Sequence, residues 1–108
     1  MYQLDLTNSK TKEVKTLTQT WVSGKQLITA LKLNNAVYED DEESTMALVT
    51  FVADLFGVKA DDILDGIQAH ELMEKLYEVY YQVLGYSEKK KQKLIQYMKD
   101  GEMEPVLD

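Results

Sequence analysis

Three groups of residues carry side chains capable of chemistry. Asp61, Asp62 and Asp65 crowd together, and the only histidine, His70, follows shortly after. Paired carboxylates can work as general acid and base. No Ser or Cys nucleophile arrangement surrounds His70, and the chain has no cysteine at all. Helix capping and solvation therefore account better for the three aspartates, and His70 reads as a helix surface residue. Residues 39–43, EDDEE, form the second group. Hard cations favour clustered carboxylates, but the glycine and spacing of an EF-hand loop are missing. The plainer reading is a solvated helix start: Asp40 and Glu43 have cap and third-position spacing, and first-turn carboxylates gain up to about 1 kcal/mol from the helix dipole. The third group is Tyr77, Tyr80, Tyr81 and Tyr86. Such a set can stack on bases, yet its acidic surroundings favour core and interface, where tyrosine combines apolar area with a polar tip.

The charge balance narrows the classes further. The 108 residues carry a net charge of −7, unevenly spread: residues 1–38 hold five Lys and two acids, residues 39–88 two Lys and thirteen acids, and residues 89–108 five Lys and four acids. An acidic middle repels a phosphate backbone, so nucleic acid is not an expected partner. No apolar run approaches the roughly 18 residues of a membrane span, and MYQLDLTNSK lacks a basic-then-apolar signal pattern. With no cysteine, the reading is a soluble cytoplasmic protein without disulfide, metal or cofactor.

The elements that hold these groups follow from periodicity. Residues 2–6 alternate as a half-buried strand, residues 7–12 are turn material, and residues 13–18 are strand-compatible, with Val14 and Leu17 on opposite faces. A hairpin results, which must pack on something to persist. Ser23 and Gln26 have capping-box spacing, and Val22 with Leu27 suits a hydrophobic staple. A helix is expected over about 24–35, with Leu27, Ile28 and Leu31 on one face. Trp21, at the strand-to-helix corner, reads as a core anchor, with an interface side chain as the alternative.

The next helix, about 42–56, holds Met46, Leu48, Val49, Phe51, Val52, Ala53, Leu55 and Phe56. These cover nearly its whole circumference, the pattern of a helix buried by its domain or by a partner. So small a domain hardly encloses it alone, which points to association with another chain or with further copies. Gly57 is the expected left-handed stop. After the corner KADDILDGI, in which Gly66 lets the chain bend, a helix over about 68–84 presents the stripe Leu72, Leu76, Val79, Val83 and the adjoining Met73, Tyr77, Tyr80, Leu84. Gly85 ends it. The tail opens on a Lys run and offers Leu94, Ile95 and Met98 with Tyr97 as a short helix that orders against a partner; GEMEPVLD is expected to be disordered. The fold class is thus mainly α with a small N-terminal β-hairpin (α+β), three to four helices plus a tail helix. A domain over 1–86 carries a charged tail over 87–108. Candidate partner-binding residues are Phe51, Leu55, Tyr80, Tyr81, Leu94, Tyr97 and Met98.

The run FVADLFGVKADDILDGIQAHELMEKLYEVYYQVLG resembles the tail assembly chaperones of long-tailed bacteriophages, especially those of Gram-positive hosts. Matching positions are Phe51, Phe56, Asp62, Leu64, Asp65, Gly66, Ile67, Leu84 and Gly85. Trp21 to Lys25 is similar to that family's lead-in to its first helix, and the likeness covers about residues 2–86. Lys59 departs from it, standing where relatives often carry a Thr or Ser cap, which puts the local helix start in question. The resemblance implies a non-enzymatic chaperone that coats the helical tape-measure protein in the host cytoplasm, gives way to tail tube subunits, and is absent from the finished virion. Its partners would be the tape-measure protein, the tail tube protein and copies of itself. It also implies a longer frameshifted product, for which codons of Lys89, Lys90 and Lys91 are a candidate slippery run; a solvated helix start is the alternative. A competing reading from composition is an acidic inhibitor that mimics DNA, motivated by EDDEE and the acidic middle.

Overall fold

The computed structural model describes residues 1–99 and the side chains of residues 1–97. GEMEPVLD, expected to be disordered, lies outside the described residues. Two strands, β1 (Tyr2–Thr7) and β2 (Val14–Gln19), pair antiparallel with Leu4 opposite Leu17. Asn8 makes the turn: its side-chain oxygen accepts from the N–H groups of Lys10 and Thr11 at 2.8 and 3.0 Å. Leu4, Leu6 and Leu17 face inward, whereas Val14 faces solvent, as the alternation requires.

Five helices follow: α1 (Gly24–Asn35), α2 (Asp41–Phe56), α3 (Ala60–Gly66), α4 (Ala69–Val83) and α5 (Glu88–Lys99). Their starts are set by local chemistry. In α1 the capping box forms, with Gln26 N–H donating to the Ser23 hydroxyl and Ser23 N–H to the Gln26 side chain. Asp40 caps α2 by accepting from Glu43 N–H at 2.9 Å. Gly57, at φ 71°, closes α2 in the left-handed conformation, and Val58 N–H returns to the Ala53 carbonyl. Lys59 has no acceptor to offer as a cap, yet α3 begins there because Asp62 accepts from the Lys59 N–H at 3.2 Å.

The hairpin and α1, α3 and α4 surround α2. Leu48, Val49, Phe51, Val52, Ala53 and Leu55 of α2 are all buried. Each large side chain among them contributes about 1.5–3 kcal/mol relative to exposure. Gln19 of β2 donates to the Leu55 carbonyl at 3.0 Å, satisfying one of the acceptors that a helix C-terminus leaves open. The helix read as too apolar for its own domain to hide is therefore the core of that domain. Of its large apolar side chains only Met46 and Phe56, at the fringe, retain exposure.

Gly66 stands where the chain leaves α3 for α4, and it also permits a close contact. It is the last residue of α3, and a Cβ there would lie 2.8 Å from the Leu6 Cβ. Glycine lets α3 press directly on β1, which seats Ile63 and Ile67 in the core. The tail helix forms on the chain's own α4, with Ile95 buried. Lys91 is buried too and is paired with the exposed Glu88 at 2.8 Å. The hydrogen bond from that ammonium holds the Glu88 carboxyl below the usual carboxylate range.

Candidate functional site

The acidic groups sit where capping puts them. Glu43 accepts from Glu39 N–H at 2.9 Å, so residues 39–43 build the start of α2. Asp61 and Asp62 occupy the first turn of α3, and His70 is exposed in the first turn of α4. Among the described residues, no group of three or more His, Cys, Asp or Glu side chains is placed to hold a metal ion. None of their helices is long and apolar enough to cross a membrane.

The tyrosines form a ladder that runs from the buried Tyr80 to the half-buried Tyr81 and Tyr86. Phe51 meets Tyr80 edge-on with ring centroids 6.1 Å apart, Tyr80 meets Tyr81 at 5.8 Å, and Tyr81 stacks on Tyr86 at 5.5 Å. Lys90 of α5 lies over the Tyr86 ring, 4.0 Å from its centre. Burial, with the neighbouring Tyr77, Tyr86, Tyr81 and Tyr38 phenols behind it, pushes the Tyr80 hydroxyl up to about 12. Burial also raises Tyr81, followed by Tyr77 and Tyr86. These rings are packing elements rather than a stacking platform.

The seven candidate partner-binding residues divide by location. Phe51, Leu55 and Tyr80 are buried, their area already covered by the chain itself. Tyr81 and Leu94 are half-buried, and Tyr97 is exposed. Met98 lies in α5, and its side chain is outside the described residues.

The apolar surplus is on α1. Of its large apolar side chains none is fully buried, and only the small Ala30 is. Ala30 faces the core beneath Tyr80, while Leu27 and Leu31 occupy one flank, with Ile28 52% exposed beyond them. The expectation that Trp21 anchors the core is overturned: its side chain is 78% exposed. On the other flank of α1, Thr29 and Leu33 form one wall of an open groove of about 610 Å³ whose other wall is α2. Val37 and Met46, both exposed, line it, and Phe51 closes its floor. Among the described residues, six of the nine large apolar side chains left exposed fall between positions 21 and 46, so the uncovered area is concentrated around one helix.

A family model of phage tail chaperone proteins matches residues 1–99. The chain belongs to that family. The match spans all the described elements and reaches past residue 86 to the end of α5. No curated protein and no solved structure matches the chain. In the chaperone, the DDILDGI run is structural: Asp62 caps α3, Ile63 and Ile67 enter the core, and Gly66 meets Leu6. Helical spacing puts Leu27, Ile28 and Leu31 on one face but does not say whether that face is covered. The available signal was Ala30 and Leu33, which define a second line on the same helix; a helix of twelve residues cannot bury both against one neighbour.

Proposed function

We propose that the chaperone binds apolar helical segments of the tape-measure protein in the host cytoplasm, keeps them soluble, and yields them to tail tube subunits as the tube grows. The role is assembly, with no covalent step, and the chaperone does not remain in the finished tail. The observation that carries this reading is α1, which leaves Leu27, Ile28 and Leu31 in solvent, with Trp21 exposed just before it. Covering a partner's apolar stripe with such a face is helix-on-helix recognition. A net charge of −7 keeps a protein with this much exposed apolar area in solution. Tyr97 and Met98 of α5, with Tyr81 and Leu94 nearer the body, supply a second contact.

The test is co-expression with a tape-measure fragment. The fragment stays soluble only with the chaperone, and Ile28→Glu with Leu31→Glu abolishes the effect while the chaperone itself folds. Equal solubility of the fragment without the chaperone would refute the reading.

A further inference from the structure

The groove between α1 and α2 has a charge pattern of its own. Its walls are apolar, from Leu33, Val37, Met46 and Phe51, and its two acids, Glu43 and Asp54, stand on α2 at opposite ends of one stripe. Eleven residues of α-helix separate them by about 16 Å, or three turns. No basic side chain lines the groove. Glu43 uses one oxygen on the Glu39 N–H. Asp54 makes no side-chain hydrogen bond or ion pair among the described residues, and it lies in the last turn of α2, which has no basic residue. That is the end of a helix where a carboxylate is electrostatically disfavoured.

We propose that this groove takes an amphipathic helix whose short apolar stripe is closed at both ends by Lys or Arg, and that Glu43 and Asp54 select that charge. Identifying this helix as a segment of the tape-measure protein rests on the function proposed above; the charge preference does not. The apolar floor supplies area and the acids at its ends set which stripes fit, since like charges placed face to face are rejected. Two such acids three turns apart also fix the length of the stripe they accept. The chain's own α5 is a basic helix, so a second copy is a rival occupant. Its apolar anchor Ile95 is already buried on α4, which removes the stripe it would need.

The test uses the full chain and two labelled synthetic helices of about 18 residues, long enough to be partly helical alone. Both carry the same apolar stripe; one has Lys at each end, the other Glu. The Lys-ended peptide should bind about fivefold more tightly at low salt, the scale of two exposed charge pairs, and the difference should shrink as salt rises. Glu43→Gln with Asp54→Asn should erase the difference while the thermal melt shows an intact fold, and Met46→Glu should weaken both peptides. Equal binding of the two peptides, or a preference that survives the double substitution, overturns the proposal. So does a chain that sediments as a larger species and becomes monomeric with Met46→Glu, because the groove would then hold a second copy. Peptide selectivity without solubilisation of a tape-measure fragment sinks the proposed function and leaves the groove chemistry standing. Solubilisation that ignores Glu43 and Asp54 leaves the proposed function standing and overturns the identification of the groove's occupant with the tape-measure protein.

Discussion

Tyr80 donates its phenolic O–H to the backbone carbonyl of Ala30 at 2.9 Å, joining α4 to α1 across 50 residues of sequence. This buried hydrogen bond seats α1, the helix with the exposed apolar face, on the core. Removing the hydroxyl by Tyr80→Phe retains the ring contacts with Phe51 and Tyr81, so the loss should be close to that of one hydrogen bond, about 0.5–1.5 kcal/mol. Urea unfolding measures it. Amide exchange in α1 should rise more than in α2, because α1 loses its tie while α2 remains enclosed.

The same residue gives the fold an alkaline limit. An ordinary tyrosine titrates near 10, whereas the buried Tyr80 hydroxyl is pushed up to about 12. The folded state therefore holds this proton more tightly than the unfolded state. The stability it contributes is whole below pH 10 and is lost as pH rises towards 12. Ultraviolet titration should show late ionisation for Tyr80 and for Tyr81, which burial also raises, and Tyr80→Phe should remove the step near 12 that accompanies unfolding. Ionisation of every tyrosine near 10 in a folded chain would contradict the burial assigned to this ring.

Two truncations contrast α2 with α1. Leu55 is 1% exposed, and Leu55→Ala should cost about 2–5 kcal/mol through lost transfer energy and the cavity left behind. Ile28→Ala, at a half-exposed site on α1, should stay within about 0.5 kcal/mol, as surface changes do. Paired denaturation curves decide the matter. Comparable losses at the two sites would mean that α1 is buried in solution, for instance by a second copy.

Gly66→Ala should destabilise the protein even though alanine is the better helix former. The new Cβ would meet Leu6 Cβ at 2.8 Å, next to the β1 backbone rather than at the end of a flexible side chain. Overpacking of this kind costs about 1–3 kcal/mol. Thermal melts of Gly66→Ala, Leu6→Ala and the pair check it: Leu6→Ala removes the Cγ and Cδ2 that crowd the site but keeps the Cβ, so the double variant should lose less than the sum of the two single losses.

Asp54→Asn should stabilise the free chaperone by about 0.3–1 kcal/mol, because it removes a carboxylate from the negative end of α2. A raised melting temperature is the expected result. Lower stability would reveal a partner for Asp54 within the fold and would remove the reason for assigning it to a client.

Local chemistry by itself determined the elements of this protein. Alternation in residues 2–6, the Ser23 and Gln26 box, the Asp40 cap and the Gly57 stop each act within a few residues of chain, so each is legible in order along it. The resemblance centred on DDILDGI likewise led to the right family, because capping and close packing constrain short runs of sequence. Which apolar face is covered was decided only in three dimensions. Met46 to Phe56 looked too greasy for 108 residues to hide, yet the hairpin and three helices converge on it from distant parts of the chain. Leu27, Ile28 and Leu31 share one face by spacing alone, and Tyr80 takes hold of α1 along the Ala30 line and leaves that face outside. Periodicity records that a helix has an apolar side; which side finds a neighbour depends on packing among segments that no local pattern relates.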